Sequence, residues 1–269
     1  MAVIDSDDEP LTLSSTAMAA LQDFYKERDQ RAEEFEKLKS QAEIQRQKKW
    51  SMEAFAEDWN ISQFWYSDDT ARRLAEQLLS CTQKHNTSDL TLVAVVCAPS
   101  VFVQLKNLLT ESDWKDGDSE RKNFKPRVIL LEHDARFEVF GDEFIWYDFK
   151  DPLKLPANLK GKADALIIDP PFLSEECQTK MAVTARYLLR GGPRNSQGES
   201  GGLIATEESC NRGEIIVCTG ERMEALVTGR LYQTLGVHTT DFSVVHANGL
   251  SNEFRCYSSF ECDEWKWVA

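Results

Sequence analysis

Hydrophobic positions recur along the chain with two periods, and the switches between them predict an order of elements. Ala71, Leu74, Ala75, Leu78 and Leu79 share one face of a helix expected over residues 68–82. Near-continuous apolar runs follow at 90–97, 127–132, 144–148, 163–168 and 214–218. Runs of this length without polar alternation fit strands covered on both faces. Helical spacing returns at 101–109, 174–189 and 221–235, and two last strands are expected at 237–245 and 254–260 around the turn signal Asn248-Gly249. Strands alternating with helices and closed by a hairpin imply an α/β fold: a mainly parallel sheet, helices on both faces, one antiparallel strand.

Two kinds of segment stand outside that alternation. Residues 1–13 are acidic and carry Pro10, which predicts a disordered arm. Ser14, Ser15 or Thr16 can cap a helix whose apolar positions Met18, Leu21, Phe24 and Tyr25 are resumed by Phe35, Leu38 and Ala42, so residues 14–60 read as a helical extension. Packing on the domain and docking to a substrate or second copy are both open to such a helix. The remainder, 61–269, forms the catalytic domain, with polar stretches at 111–126 and 191–212 expected as surface insertions.

Charge narrows the partners. With 45 acidic and 31 basic residues the formal charge is -14. Such a surface repels phosphate backbones and attracts basic proteins, so no nucleic-acid partner is expected. No run approaches the roughly 18 apolar residues of a bilayer span, and residues 1–10 lack the basic and apolar regions of a signal peptide. The expectation is a cytoplasmic protein without a membrane partner. Seven scattered cysteines and four histidines show no metal-ligand spacing, so reduced thiols and no metal are expected. Oligomeric state is left open.

The most informative segment is the apolar run 165–168 leading into Asp169-Pro170-Pro171-Phe172. Open α/β sheets bind ligands at the carboxyl ends of their strands, where this tetrapeptide falls. Two consecutive prolines remove two N–H donors and leave a rim of acceptors. The Asp169 carboxylate and Pro170 carbonyl can then accept N–H bonds from an amine and aim its lone pair at an electrophilic carbon, with Phe172 as apolar or cation-π wall. A plain strand-ending turn is the competing reading of Asp-Pro-Pro. Donor-site candidates come from other strand ends. Ala98, Pro99 and Ser100 stand after the first strand where a glycine-rich loop would be expected, while Glu132 can accept two ribose hydroxyls and Asp148 an adenine amino group. Of the crowded Gln63-Phe64-Trp65-Tyr66, Phe64 reads as a staple, and Gln63, Trp65 and Tyr66 as donor-pocket residues.

Several of these segments together resemble one family. They are Gln63-Phe64-Trp65-Tyr66-Ser67, Ala98-Pro99-Ser100-Val101, residues 132–137, Phe140-Gly141-Asp142-Glu143-Phe144, the block from Asp169 to Cys177, Cys218-Thr219-Gly220 and Asn252-Glu253-Phe254-Arg255-Cys256-Tyr257. They look like the eukaryotic elongation factor 1-alpha lysine methyltransferases, once labelled N6-adenine-specific DNA methyltransferases. The resemblance implies a seven-stranded class I (Rossmann-like) fold, S-adenosyl-L-methionine as donor, a lysine of translation elongation factor 1-alpha as acceptor, and Phe172, Asn252 and Phe254 on the acceptor side. Phe172 stands where many relatives carry Tyr. N6-adenine methylation of nucleic acid and a degenerate binding module are the competing functions; the acidic surface argues against the first, and the missing glycine-rich loop permits the second.

Overall fold

A computed structural model describes residues 49–57, 63–83, 91–111, 126–191, 212–249 and 253–268, together with Met18, Tyr25, Lys26, Arg28 and Arg31. The chain divides into two units, Met1–Lys48 and Lys49–Ala269. In the first, the five described residues are helical and exposed, with the Arg28 guanidinium 4.9 Å from the centroid of the Tyr25 ring. The acidic arm, the insertions at 112–125 and 192–211, and Asn252 lie outside the described residues.

The second unit is built on a seven-stranded sheet. Its strands are β1 (Leu92–Val96), β2 (Arg127–Glu132), β3 (Phe144–Trp146), β4 (Ala165–Ile168), β5 (Glu214–Gly220), β6 (His238–Ser243) and β7 (Phe254–Ser258). Their order is β3-β2-β1-β4-β5-β7-β6, and β7 alone runs opposite to the other six. This is the class I methyltransferase arrangement. The reversal of strand order beside β1 opens a crevice at the carboxyl ends of β1, β2 and β4, where such sheets take their ligands.

Among the described residues three α-helices longer than one turn cover the sheet: α1 (Asp68–Gln83), α2 (Pro99–Thr110) and α3 (Glu175–Leu188). Ser67 begins α1 by accepting the Thr70 N–H, Pro99 occupies the first turn of α2, and Ser174 caps α3 by accepting the Cys177 N–H. Side chains alternate across each strand. Ala94 and Val96 pack with Leu166, Ile168 and the Met181, Ala185 and Leu188 face of α3, while Val93 and Val95 are buried on the side of α1 and α2. Each fully buried Leu or Ile contributes about 1.5–3 kcal/mol over leaving it in water. Asp164 fixes the register from below: it accepts the Leu92 N–H and pairs with Arg190 at 2.7 Å.

Two expectations change. The helix predicted over 221–235 is a chain of short turns: a 3-10 turn Glu221–Met223, one α turn Glu224–Leu226, a π turn Val227–Leu231 and a 3-10 turn Gln233–Leu235. The Thr228 hydroxyl bonds the Glu224 carbonyl, and the Tyr232 N–H reaches back five residues to the Val227 carbonyl, which widens the run into a π turn while Val227, Leu231, Tyr232 and Leu235 stay buried. The strand predicted over 144–148 ends at Trp146, because Asp148 turns the chain by accepting the Lys150 N–H. Among the described residues no helix is long and apolar enough to cross a membrane, and no group of His, Cys, Asp or Glu is placed to hold a metal ion.

Candidate active site

The carboxyl ends of β1, β2 and β4 open into a cavity of about 450 Å³. Its rim is closed by residues 63–65, which cross from the N-terminal side of the domain. Aromatic packing sets that crossing. Phe55 stacks on Phe137 at 4.4 Å, and Trp65 meets Phe137 edge-on at 6.2 Å while its indole N–H donates to the Phe55 carbonyl at 2.6 Å. Phe137 belongs to the 3-10 segment Ala135–Glu143, which Asp134 begins by accepting the Arg136 N–H at 2.9 Å. Gln63 donates to Asp134 at 2.9 Å and accepts from Arg136 at 3.1 Å, so its amide locks the crossing segment to the end of β2.

Two carboxylic acids stand in the cavity on either side of β1. Glu132, ending β2, is buried; its Oε1 accepts the backbone N–H of His133 (2.7 Å) and of Asp134 (3.2 Å). Oε2 takes no bond from a described residue and is left to the cavity. Burial raises the Glu132 carboxyl to about 7 despite the two backbone donors. Asp169 follows β4, held by its own N–H on the Val96 carbonyl, and its Oδ2 accepts the Tyr66 hydroxyl at 2.5 Å. Desolvation pushes Asp169 up to about 8; the Tyr66 hydrogen bond opposes this and the nearby Glu132 adds to it. Burial and Asp169 together drive the Tyr66 phenol well above its usual range, so Tyr66 stays the donor of the pair.

The loop after Asp169 is clamped from beneath. Gln178, fully buried on α3, donates its Nε2 both to the Phe172 carbonyl (3.2 Å) and to the Thr219 hydroxyl (2.9 Å) at the end of β5. At Gly220 a Cβ would come within 2.8 Å of the Leu173 side chain, so glycine lets the loop seat against β5. Phe172 is left 40% exposed at the cavity, its ring 5.6 Å from Phe149. No described donor takes the Pro170 carbonyl.

The structure brings Gln63, Trp65, Glu132, Asp148, Asp169, Pro170, Pro171, Phe172 and Phe254 to this one cavity. Four expected donor contacts, Ala98, Pro99, Ser100 and Tyr66, are placed otherwise. Ala98, Pro99 and Ser100 are buried in the start of α2 and do not line the cavity; Ser100 instead accepts the Tyr66 N–H at 3.3 Å. Cys97 is the lining residue of that loop, and its φ of 56° makes it the only non-glycine in the left-handed region among the described residues. The tight turn that glycine usually serves is thus kept with a cysteine. Tyr66 does not line the cavity but reaches Asp169, and Phe64, read as a staple, is a lining residue while Trp65 does the stapling. Residues missed in the sequence are Gln178, Phe149 and His246. Only the glutamine leaves a trace there, as a polar residue amid the apolar face of α3.

Comparison with known proteins identifies the family. The family described as "Probable N6-adenine methyltransferase" matches residues 57–262. "Protein-lysine N-methyltransferase EFM5" of Saccharomyces cerevisiae is 40% identical over 263 residues, 96% of this chain and 95% of its own. "EEF1A lysine methyltransferase 1" of Gallus gallus is 36% identical over 95% of this chain and 97% of its own, and that of Homo sapiens 34% over 95% and 94%. With a class I sheet, an Asp-Pro-Pro-Phe loop at the end of β4 and relatives matched along nearly their whole length, the chain belongs to the EFM5 and EEF1A lysine methyltransferase 1 family.

Proposed function

We propose that this protein transfers a methyl group from S-adenosyl-L-methionine to the ε-amine of a lysine in translation elongation factor 1-alpha, in the cytoplasm. The observation that carries the reading is Asp169: a desolvated carboxyl fixed through Oδ2 by Tyr66, with Oδ1 unbonded among the described residues, beside the free Pro170 carbonyl. Relatives named for protein-lysine or EEF1A lysine methylation support the acceptor, and the formal charge of -14 suits a basic partner over a phosphate backbone.

The cavity fits the donor. Glu132 Oε2 can accept the ribose hydroxyls, Asp148 can accept from the adenine amino group, and the left-handed turn at Cys97 lets backbone approach closely. When bound, S-adenosyl-L-methionine supplies an electrophilic methyl on a sulfonium sulfur. Asp169 Oδ1 and the Pro170 carbonyl then accept two amine N–H bonds, leaving the nitrogen lone pair on the open axis, and Phe172 with Phe149 walls off water. Tyr66 and Gln178 hold the two ends of this acceptor rim.

Incubating the full chain with labelled donor and purified elongation factor 1-alpha, then with DNA, tests the reading. Label in a lysine of the protein is expected. Label in DNA alone would overturn the acceptor, and failure to bind donor would leave a binding module.

A further inference from the structure

We propose that His246 is the proton acceptor that converts the incoming lysine ammonium to the neutral amine, and that it passes the proton outward through a second groove on the β6–β7 side. The inference rests on the lysine reading above. A lysine arrives protonated, with an ordinary pKa about 10.4, and without losing that proton it has no lone pair to react. An ionised Asp169 would stabilise the ammonium, whereas a neutral base can take the proton without holding the charged form in place.

The position of His246 meets the need. It is 8% exposed and lines the inner cavity. It also lines a groove of about 590 Å³ whose other walls come from the ends of β6 and β7; only His246 and Phe254 belong to both. Residue 246 therefore stands between the reaction space on one side and the outer groove on the other. The ring is fixed by packing: Phe254 meets it edge-on at 4.8 Å, Tyr66 lies 5.2 Å away, and residue 246 pairs with residue 66 in an isolated bridge. No described residue hydrogen-bonds the imidazole, so both nitrogens remain open to an incoming group. A histidine kept merely as a core residue would ordinarily have such a partner.

The charged groups around it are consistent with a neutral resting form. Burial lowers the His246 pKa below its usual 6.5, and the Glu57 carboxylate only partly offsets this. On the cavity side the charged and imidazole groups are Asp169, reached through Tyr66, with Arg222, Glu132, Asp148, His133 and Lys150; on the groove side they are Glu253, Asp241 and Arg255 with its partner Glu221. The step balances. The ammonium N–H bond breaks, its electron pair stays on the lysine nitrogen, and an imidazole N–H forms. The imidazolium then loses its proton to water in the groove, whose Asp241 and Glu253 favour the transient cation.

The test uses the full chain with elongation factor 1-alpha and the variants His246→Gln and His246→Phe, followed from pH 6 to 10. At pH 7 both variants are expected to fall about 100-fold in kcat. Their rates should recover about tenfold per pH unit as the lysine deprotonates in solution, while donor affinity by calorimetry stays that of wild type. A loss by the same factor at every pH, or no loss at all, overturns the proposal. If the variants do not fold, wild type decides. The His246 imidazole titration, followed by NMR, must coincide with the acidic limb of kcat below 6.5. An acidic limb near 8 would assign the proton to Asp169 and overturn the proposal. Absence of any lysine transfer by wild type would remove the lysine reading itself, a result separate from all of these.

Discussion

Glu132 and Asp169 occupy equivalent places at the ends of β2 and β4, one on each side of β1, and both are carboxyls raised by desolvation, to about 7 and about 8. What differs is the donor that each has been given. Glu132 holds two backbone N–H groups on one oxygen, donors that truncating the side chains of His133 and Asp134 would not remove. Asp169 holds a single phenol, brought from residue 66 across 103 positions of sequence. The difference teaches that burial alone does not divide the labour in this cavity. Backbone donors make a rigid acceptor suited to gripping hydroxyls, and a side-chain donor leaves a carboxyl whose second oxygen is aimed but adjustable.

The comparison breaks most sharply at Asp169. Asp169→Ala is expected to lower kcat by about 100- to 1,000-fold, as loss of a preorganised polar contact to the reacting group does, with donor affinity changed by less than about threefold. Single-turnover rates and calorimetry separate the two; a large affinity loss at unchanged rate would exchange the roles of the carboxyls. Glu132→Ala should do the reverse, weakening donor binding about 10- to 100-fold through loss of charge-assisted hydrogen bonds.

A pH measurement sharpens the same contrast. The folded Glu132 carboxyl, at about 7, lies above its ordinary 4.5, so in the ligand-free protein its stabilising contribution is present below about 4.5 and lost as pH rises through 7. Hydroxyl donors favour the charged form, so donor binding should release a proton near pH 7, and affinity should climb with pH up to that point and then level. Calorimetry in buffers of different ionisation enthalpy reads this directly. Proton uptake would be the contrary result.

Smaller effects are expected from the elements that support the pair. Tyr66→Phe removes the Asp169 donor while keeping the ring; about tenfold in kcat and about 1 kcal/mol in stability should go, measured by turnover and denaturant unfolding. Cys97→Gly, at the β1 end between the two carboxyls, relieves a left-handed backbone cost of about 1–2 kcal/mol but gives up side-chain packing. The net change in stability should stay within about 1 kcal/mol, with donor affinity unaltered.

Much of this was legible in the chain itself. The strand runs at 127–132 and 163–168, the helix over 68–82 and the mainly parallel sheet follow from periodicity, because a buried strand has to be apolar throughout and a covering helix on one face only. The segments resembling lysine methyltransferases also led to the correct family. Less legible was anything that depends on partners distant in sequence. Trp65 and Phe64 differ by one position, and which of them staples was settled by Phe55 and Phe137. The irregular run 221–235 has a helical pattern, yet the Thr228 hydroxyl on the Glu224 carbonyl and the five-residue step from the Tyr232 N–H to the Val227 carbonyl take it out of one.

Local sequence determined the elements, and with them the placement of Asp169-Pro170-Pro171-Phe172 at a strand end, since strand length, proline and the carboxylate act within a few residues. Only the tertiary structure decided that Tyr66 fixes Asp169, that Gln178 holds Phe172, that the β1 turn is served by Cys97 while Ser100 turns inward, and that His246 stands between two openings. The reason is physical: periodicity records which side of an element is dry, whereas a hydrogen bond or a pKa depends on which group from elsewhere in the chain arrives within about 3 Å.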